Sequence, residues 1–526
     1  MTASFALAPL FTDGMVLQRQ KPVTIWGNGP EGARVTVEIH GQSASAVVSG
    51  GRWSVLLEPL PEGGPYELTA KCRDGSDARR NADLRFADVL VGEVWLAGGQ
   101  SNMVQPLLVA QGGVETAALL ANRPGIRFFT VPRRPFPDAR VPGWDFIGTF
   151  SVDANWLVCD PETALRFSAI GAHFAELLRL ALDGVPVGIV SCNWGGTPAE
   201  AWMGERHLAG DPLLKPLLDE YRERIAGLDL EVYEREHDRY IRDMFRLIEE
   251  RGDIERRVKE LGLQGYRDWI ADHPLIWPDQ PFGPKHPERP CGLYHTMLET
   301  VAPYAIRGVL WYQGESNAHP GKAPLYRHLL VALIGAWREA WQDPDLPFLI
   351  VQLAGFAPAD APHGDAWSLV REAQSDVARE VPHVSLVVTL DCGEQRDIHP
   401  IDKRTVAERL ALAARADVYG QPVRASGPAW LGPAFEGDTA RLGFDPGGEP
   451  PAESDDPLAG FEICGDDRRF VPAEARFREG AVQVRSPEVG RPVAVRYAWG
   501  NWPAYSIFGR NGIPAPPFRT DRYGLQ

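Results

Sequence analysis

Short runs of alternating apolar and polar residues fill both ends of the chain. In residues 1–87 they include KPVTIWG, ARVTVEIHG and PYELTAKC, and glycine, proline and asparagine separate them. Alternation with a period of two is typical of strands with one buried face, so residues 1–87 are predicted to form a β-sandwich domain. Residues 417–526 are again β-like and rich in glycine and proline, which predicts a second, sandwich-like β-rich domain.

Between these ends the apolar runs become nearly continuous. They are GEVWLAG, GIRFFTV, PVGIVSC, IRGVLWYQG, PFLIVQLAG and VSLVVTLD, and predicted helices such as SAIGAHFAELLRLALDG and YRHLLVALIGAWREAWQ lie among them. Strands buried on both faces and spaced by helices indicate a parallel sheet flanked by helices. The predicted fold class is therefore α/β, with the sheet formed by residues 88–203 and 291–416. Residues 204–290, whose part 204–275 is strongly charged, are predicted to be a helical insertion.

One glycine pattern typical of dinucleotide-binding sites occurs in the first segment. Gly27, Gly29 and Gly32 of GNGPEG match G-x-G-x-x-G, but the following residues, ARVTVEIH, predict a strand. A dinucleotide site requires a helix N-terminus for the pyrophosphate. The segment is therefore predicted to be a hairpin loop that binds no dinucleotide.

Composition and charge narrow the classes of partner. The 526 residues are 44% hydrophobic and 24% charged, as in globular proteins of several domains. The formal net charge of -16 argues against nucleic acids and anionic membranes, whose phosphates it would repel. The six cysteines show no C-x-x-C spacing, so neither a zinc site nor a disulfide framework is predicted. The oligomeric state cannot be predicted from these features.

The sequence also bears on location. No run of about 18 apolar residues is present, so no transmembrane helix is predicted. The first residues, MTASFALAPLFTDGM, lack the basic and apolar regions of a secretory signal. A cytoplasmic location is expected, or a periplasmic or secreted one if a leader has been removed.

Polar residues follow the apolar runs at the points where the predicted strands end. Ser101 follows GEVWLAGGQ, Gly195 and Gly196 follow VGIVSCNW, the loop QGESN follows GVLWY, and Asp397 and His399 follow VSLVVTLD. Sites in parallel sheets form beyond the carboxyl ends of the strands, so these groups are expected at one edge. They are the groups that acyl transfer needs: a serine, a histidine that takes its proton, a carboxylate, and donors for the oxyanion.

Each group also has a simpler interpretation. Ser101 is compatible with a helix N-cap, His399 with a hydrogen-bonded loop histidine, and QGESN with a turn. The serine does not fit the G-x-S-x-G elbow of α/β-hydrolases, because Met103 occupies the position of the second glycine. Placement of all the groups at equivalent strand ends favours the catalytic interpretation.

Several of these segments resemble the sialate O-acetylesterase family, within the SGNH hydrolase superfamily. They are GEVWLAGGQSNM, GIVSCNWGGTPAEAWM, GVLWYQGESNA and DIHPIDKRTVAERLALAA, together with LFTDGMVLQRQKPVTIWG and VRYAWGNWPAYSIFGRNGIPAPPFRTD near the ends. The resemblance covers nearly the whole chain. It implies an SGNH-type sheet and a serine esterase that releases acetate from an O-acetylated sugar, either sialic acid or a plant polysaccharide such as xylan or xyloglucan. No metal or organic cofactor is expected, because no metal or nucleotide motif occurs in context.

The resemblance also implies roles for individual residues. Ser101 is expected to be the nucleophile and His399 the general base. Activity should fall on the acid side with an apparent pKa near about 6.5, shifted by the carboxylate partner of the histidine. The oxyanion is expected to bind N–H groups of Ser101 and of the Gly195–Gly196 loop. A side-chain amide should complete this site, from Gln313, which lies nearer the strand end, or from Asn317.

The carboxylate that orients the histidine is left open between two residues. The superfamily usually places it three residues before the histidine, where this chain has Arg396. Asp397, two residues before His399, and Glu315 of QGESN are equal candidates. A smaller departure is Ala-Gly at 97–98, where family members often have Cys-Ser.

Two other functions are weighed against the esterase. A glycoside hydrolase would use paired carboxylates such as Asp391 and Glu315, but it leaves Ser101 and its glycines unexplained. A non-catalytic sugar-binding protein would use the sixteen tryptophans as a stacking surface.

Overall fold

The structure is a computed structural model. It describes residues 4–523 except 76, 78, 80, 122, 135–153, 252–253, 275, 358–364, 446–447 and 453–455. The chain divides into two units. Unit 1 contains Met1–Trp311 and Ala332–Pro347, and unit 2 contains Tyr312–Val331 and Phe348–Gln526.

The amino-terminal part of unit 1 consists of strands in two sheets, as the alternating pattern predicts. The strands are β1 (Ala6–Leu7), β2 (Val16–Gln18), β3 (Val23–Asn28), β4 (Arg34–Ile39), β5 (Gln42–Val47), β6 (Arg52–Leu57), β7 (Gly63–Arg73) and β8 (Ala82–Gly99). Strands β1, β3 and β6 form one antiparallel sheet, while β4 pairs with β5 and β7, and β7 pairs with β8. Alternate residues of β3, β4 and β6 are buried, which gives each sheet one apolar face.

The first two residues of GNGPEG end β3, and the rest of the motif lies in the connection to β4. A strand follows it, as predicted, and not the helix that a dinucleotide site requires. The prediction of a hairpin is wrong, because β3 pairs with β1 and β6 while β4 pairs with β5 and β7. The loop therefore carries the chain from one sheet to the other.

Strand β8 belongs to two different environments. Its first half alternates between exposed and partly buried residues and pairs antiparallel with β7. From Val89 to Gly99 every residue is buried, and this half pairs in parallel with β11 (Val187–Asn193). The predicted boundary between residues 87 and 88 lies at this change, inside one continuous strand.

The remaining strands of unit 1 extend the sheet that the second half of β8 enters. With β9 (Ile126–Thr130), β10 (Trp156–Val158) and β12 (Gly308–Tyr312), the strand order is β10-β9-β11-β8-β12. The helices of this part are α1 (Ser101–Val104), α2 (Gly113–Leu120), α3 (Pro161–Arg166), α4 (Ala169–Ala181), α5 (Glu205–Ala209), α6 (Lys215–Ala226), α7 (Leu230–Arg251), α8 (Ile254–Asp272) and α9 (Glu299–Val301).

Helices α5 to α8 lie within residues 204–290, the predicted helical insertion. In α7 the residues Tyr233, His237, Tyr240 and Met244 are buried. They recur every three or four positions and so share one face of the helix, while most charged residues of α7 are exposed. The charge runs are therefore a solvated face, as the sequence indicates.

The second half of the chain contains the parallel pair β13 (Phe348–Val351) and β14 (Val384–Val387). Its helices are α10 (Tyr326–Trp341), α11 (Ala366–Glu380) and α12 (Arg404–Ala413). The predicted helix 326–342 and the last two predicted strands are thereby confirmed. None of the described helices is long and apolar enough to cross a membrane.

The carboxyl-terminal part is β-rich, as predicted. Its strands are β15 (Trp430–Glu436), β16 (Thr439–Phe444), β17 (Phe461–Cys464), β18 (Val471–Pro472), β19 (Glu474–Arg478), β20 (Ala481–Arg485), β21 (Ala494–Tyr497) and β22 (Phe518–Arg519). One sheet has the order β15-β16-β20-β19 and another the order β18-β17-β21-β22. Residues of both sheets, such as Leu442, Val482, Ile463 and Tyr497, share one buried core.

Candidate active site

Ser101 lies where β8 turns directly into α1. The N-cap of α1 is Gln100 and Ser101 is the first helical residue, so Ser101 is not the cap that its sequence context also allowed. Gly99 has a φ of +127°, a conformation that favours glycine. Ser101 is partly exposed, whereas Gln100 and Asn102 are 3% and 2% exposed. The turn therefore leaves the serine accessible between two buried neighbours.

The glycine loop after β11 comes close to Ser101. Strands β8 and β11 run in parallel, and the Trp194 N–H donates to the Gly99 carbonyl at 3.0 Å. A Cβ atom at Gly195 would lie 3.3 Å from the Ser101 Cβ, which is tighter than most such contacts. Gly196 follows with a φ of +75°. The structure thus brings Ser101 and Gly195 together, and a glycine at 195 keeps backbone rather than a side chain beside the serine.

The QGESN loop of unit 2 holds Gln313 and Asn317 in a buried hydrogen-bonded pair. Both residues are 0% exposed. The Tyr326 hydroxyl donates to Gln313 Oε1 at 2.8 Å, and Gln313 Nε2 donates to Asn317 Oδ1 at 2.7 Å. Each end of the Gln313 amide is therefore engaged, and its bond to Oδ1 orients the Asn317 amide with Nδ2 on the other side. Gly314 has a φ of +153°, and a Cβ there would lie 2.9 Å from Val370 Cγ1, so the loop requires glycine.

His399 and Asp397 lie together in the loop after β14, residues 391–400, which we call the histidine loop. Asp397 Oδ1 accepts the His399 backbone N–H at 2.8 Å and lies 4.0 Å from the ring Nδ1. The second distance is too long for a hydrogen bond, so in this arrangement Asp397 acts on the ring through its charge. The two side chains are 35% and 41% exposed.

Burial shifts the titration of His399. It lowers the pKa of the imidazole to about 4; the positive charge of Lys403 lowers it as well, and Asp397 raises it. This pKa is lower than the value near 6.5, shifted by a carboxylate partner, that the sequence leads us to expect. The reason is that a partly buried ring loses the hydration that stabilises its charged form.

Lys403 is a charged group near the histidine that sequence analysis missed. It precedes α12 and is 2% exposed. Burial lowers the pKa of its ammonium to about 8, while the carboxylates of Glu315, Asp397 and Glu394 raise it. A lysine at the start of a charged helix gives no signal of burial in a sequence, so this cation is visible only in the folded chain.

Comparison with known proteins identifies the family. The family model "Carbohydrate esterase, sialic acid-specific acetylesterase" matches residues 287–415. Sialate O-acetylesterases of rat and human are 27% and 26% identical to this chain over 98% of its length, covering 94% and 92% of theirs. The crystal structure of a carbohydrate acetylesterase from Xanthomonas citri is 35% identical, with a TM-score of 0.76, and the match covers 98% of this chain and 100% of that one.

The chain belongs to the sialate O-acetylesterase family of carbohydrate esterases. The resemblance identified from its motifs is therefore confirmed, and the chain is an O-acetylesterase with a mixed α/β fold.

Asp391, one of the two carboxylates that a glycoside hydrolase would use, is engaged in an ion pair. Asp391 accepts Arg409 Nη1 at 2.6 Å on one oxygen and Nη2 at 2.7 Å on the other. Arg409 is 6% exposed, and its Nη1 also donates to the Val388 carbonyl. A carboxylate whose two oxygens are both engaged by a buried guanidinium is not available to act on a substrate. The family and this ion pair both disfavour that alternative.

Proposed function

We propose that this O-acetylesterase removes acetyl groups from O-acetylated sugars, with Ser101 as nucleophile and His399 as general base. The observation that carries the proposal is the partly exposed Ser101 at a strand end with the backbone of Gly195 beside it. A nucleophilic serine needs access to the ester and nearby N–H groups for the oxyanion, and this arrangement supports both.

The proposed reaction proceeds in two steps. His399 takes the proton of the Ser101 hydroxyl as its oxygen attacks the acetyl carbonyl, and it then returns that proton to the departing sugar oxygen. Water next attacks the acetyl–Ser101 ester with His399 again as base, which releases acetate and restores the serine. The N–H groups of Ser101 and Gly195 stabilise the oxyanion in both steps.

For the third oxyanion donor we propose Asn317 over Gln313. Both ends of the Gln313 amide have partners, in Tyr326 and in Asn317 itself. Gln313 therefore acts as a positioning residue that orients the Asn317 amide. Buried amides held in this way need no reorganisation during the reaction, which is what makes oxyanion donors effective.

For the carboxylate we propose Asp397 over Glu315. Asp397 shares the histidine loop with His399, and its charge raises the pKa of that ring. Both carboxylates act on Lys403, whereas the charges that shift the His399 pKa are those of Lys403 and Asp397. The role requires the 4.0 Å gap between Asp397 Oδ1 and Nδ1 to close, and catalytic hydrogen bonds often tighten only when substrate binds.

The proposed substrate is a neutral acetylated glycan, such as acetylated xylan or xyloglucan. The curated relatives are named for sialate and the Xanthomonas enzyme for carbohydrate in general. The net charge of -16 opposes the approach of an anionic sugar such as sialic acid, and this favours the neutral class.

The test measures acetate release from acetylated xylan, acetylated xyloglucan and O-acetylated sialic acid under one set of conditions. We expect acetate from all acetylated sugars that bind, with the higher kcat/KM on the neutral glycans. A higher kcat/KM on sialic acid would overturn the substrate assignment. Release of reducing ends without acetate would indicate a glycoside hydrolase, and the absence of any product would indicate a sugar-binding protein.

The low pKa of His399 predicts the pH dependence of this reaction. The neutral ring accepts the serine proton, so activity is lost as the ring protonates, which happens near pH 4. We expect kcat/KM for an aryl acetate to stay flat between about pH 5 and 8, the usual titration window of histidine. Circular dichroism at each pH separates this loss from unfolding. A midpoint near about 6.5 would contradict a desolvated His399.

We also propose the finer domain organisation. Residues 88–203 and 291–416 form an SGNH-type hydrolase domain, residues 204–290 an insertion, and residues 1–87 and 417–526 two flanking β domains. The continuous burial of β8 from Val89 supports the boundary at residue 88. The carboxyl-terminal strands share a core that also includes Val388 and Leu390 of the preceding segment.

A further inference from the structure

Trp502 is a large apolar side chain that contacts solvent in unit 2. It is 42% exposed and lies in residues 499–502, WGNW, which follow β21 and which we call the aromatic loop. Single exposed apolar residues are common on proteins and need no explanation by themselves. The surroundings of Trp502 distinguish it.

The indole of Trp502 packs against the backbone of Gly355. A Cβ at Gly355 would lie 2.6 Å from Trp502 Cε3 and 2.9 Å from Cζ3, so a larger residue there would displace the ring. Gly355 lies in the segment 353–357 that follows β13. Because Gly355 has no side chain, part of the indole ring packs directly on its backbone, while the rest of the ring contacts solvent.

The same segment contacts the histidine loop directly. A Cβ at Gly393 would lie 2.3 Å from the Gly355 carbonyl oxygen, and the Ala357 N–H donates to the Gln395 carbonyl at 2.9 Å. Gly393 and Gln395 belong to the loop that carries His399. Gly355, on which Trp502 packs, and the proposed general base therefore lie on two segments that contact each other.

A buried arginine holds the aromatic loop in place. Arg371 of α11 is 0% exposed, and its guanidinium donates to the carbonyls of Gly500 at 2.7 Å and Asn501 at 3.1 Å. It also donates to Leu353 and Ala354, each at 2.8 Å. One side chain thus binds the aromatic loop to segment 353–357, and a platform fixed before binding loses little entropy when a ligand arrives.

We propose that Trp502 is a stacking platform for a pyranose ring of the glycan whose acetyl ester reaches His399. The proposal rests on the proposed function, because it assumes a carbohydrate substrate. A pyranose presents a face of C–H groups that is apolar, and an exposed indole is a wide apolar surface with a polar N–H edge. Stacking removes both faces from water, and the contact uses no charge, in keeping with a neutral glycan.

The experiment compares Trp502→Ala and Trp502→Phe with the wild type on two substrates. One is the acetylated glycan with the highest kcat/KM in the substrate test, as oligosaccharides, and the other is 4-nitrophenyl acetate, which has no pyranose ring. The matched control is Trp277→Ala, since Trp277 of the insertion is 45% exposed.

We expect Trp502→Ala to lower kcat/KM on the oligosaccharide by about tenfold or more, mainly through KM, where tenfold corresponds to about 1.4 kcal/mol of binding. Hydrolysis of 4-nitrophenyl acetate should change less than about twofold. The variant removes binding of a pyranose ring, and this substrate has none. Trp502→Phe keeps an aromatic face and should retain most of the activity. Trp277→Ala should match the wild type on both substrates.

Two results would overturn the proposal that Trp502 is a stacking platform. Equal losses on both substrates, carried by kcat, would mean that Trp502 supports the histidine loop and does not bind sugar. Unchanged kinetics on the oligosaccharide would mean that the ring binds nothing. Failure of the proposed function looks different, because the wild type itself would then release no acetate from any glycan while the aryl acetate assay still reports an active esterase.

Discussion

Replacement of Ser101 by alanine should lower acetate release by at least about a thousandfold while the chain keeps its fold. Single removals of a serine or histidine from such a site cost several orders of magnitude in kcat, because the residues act as one unit. Ser101 is partly exposed at the start of α1 and is not its N-cap, so the helix loses no capping bond in the variant. The measurement is acetate release from an acetylated glycan and from an aryl acetate.

The control is a serine of the same unit outside the proposed site. Ser54 lies on β6 and is exposed, and Ser54→Ala should keep wild-type turnover. Circular dichroism and a thermal melt should be the same for both variants and the wild type. A Ser101→Ala protein that retains even about a tenth of the activity would rule out Ser101 as nucleophile, since losses that small are typical of residues outside the reacting groups.

The second large effect is expected at the carboxylate. Asp397→Asn should lower kcat about a thousandfold or more, by analogy with the loss seen when a triad aspartate becomes an amide. In the wild type, Asp397 Oδ1 accepts the His399 backbone N–H at 2.8 Å. The amide oxygen of the variant can accept the same bond, so the histidine loop should keep its conformation. The loss would therefore report the missing charge and the wrong ring tautomer, and not a collapsed loop.

Glu315→Gln is the matched comparison, since it makes the same chemical change in a carboxylate of the QGESN loop. We expect less than about tenfold loss of kcat, because the charges that shift the His399 pKa are those of Lys403 and Asp397. The reverse order of losses would assign the role to Glu315. Near-normal kcat in both variants would mean that Ser101 and His399 work without a carboxylate.

Sequence patterns predicted the parts of the fold and site that depend on local spacing. Continuous apolar runs located β8 and β11, and the residues directly after them include Ser101 and Gly195, which the structure brings together. The change of pattern within β8 coincides with the change of burial at Val89. Residues at the ends of adjacent parallel strands are neighbours by geometry. The spacing of the apolar runs was therefore sufficient to predict that Ser101 and Gly195 lie close together.

Contacts between residues distant in the chain could not be predicted in the same way. The amide of Gln313 is engaged by Tyr326, thirteen residues further along, and this changes which amide is proposed for the oxyanion. The burial of Lys403 and the low pKa of His399 depend on several packed segments. The pairing of β3 and β4 with different sheets likewise follows from tertiary packing, which a turn motif does not encode.

The central claim is that His399 activates Ser101 for attack, and covalent labelling tests it most directly. The enzyme is treated with an aryl fluorophosphonate, which reacts with activated serines, and the modified peptide is located by mass spectrometry. We predict a single adduct on Ser101 in the wild type, and labelling at least about a hundredfold slower in His399→Ala, since the histidine supplies general-base catalysis. An adduct on another residue, or equal labelling rates with and without His399, would contradict the claim.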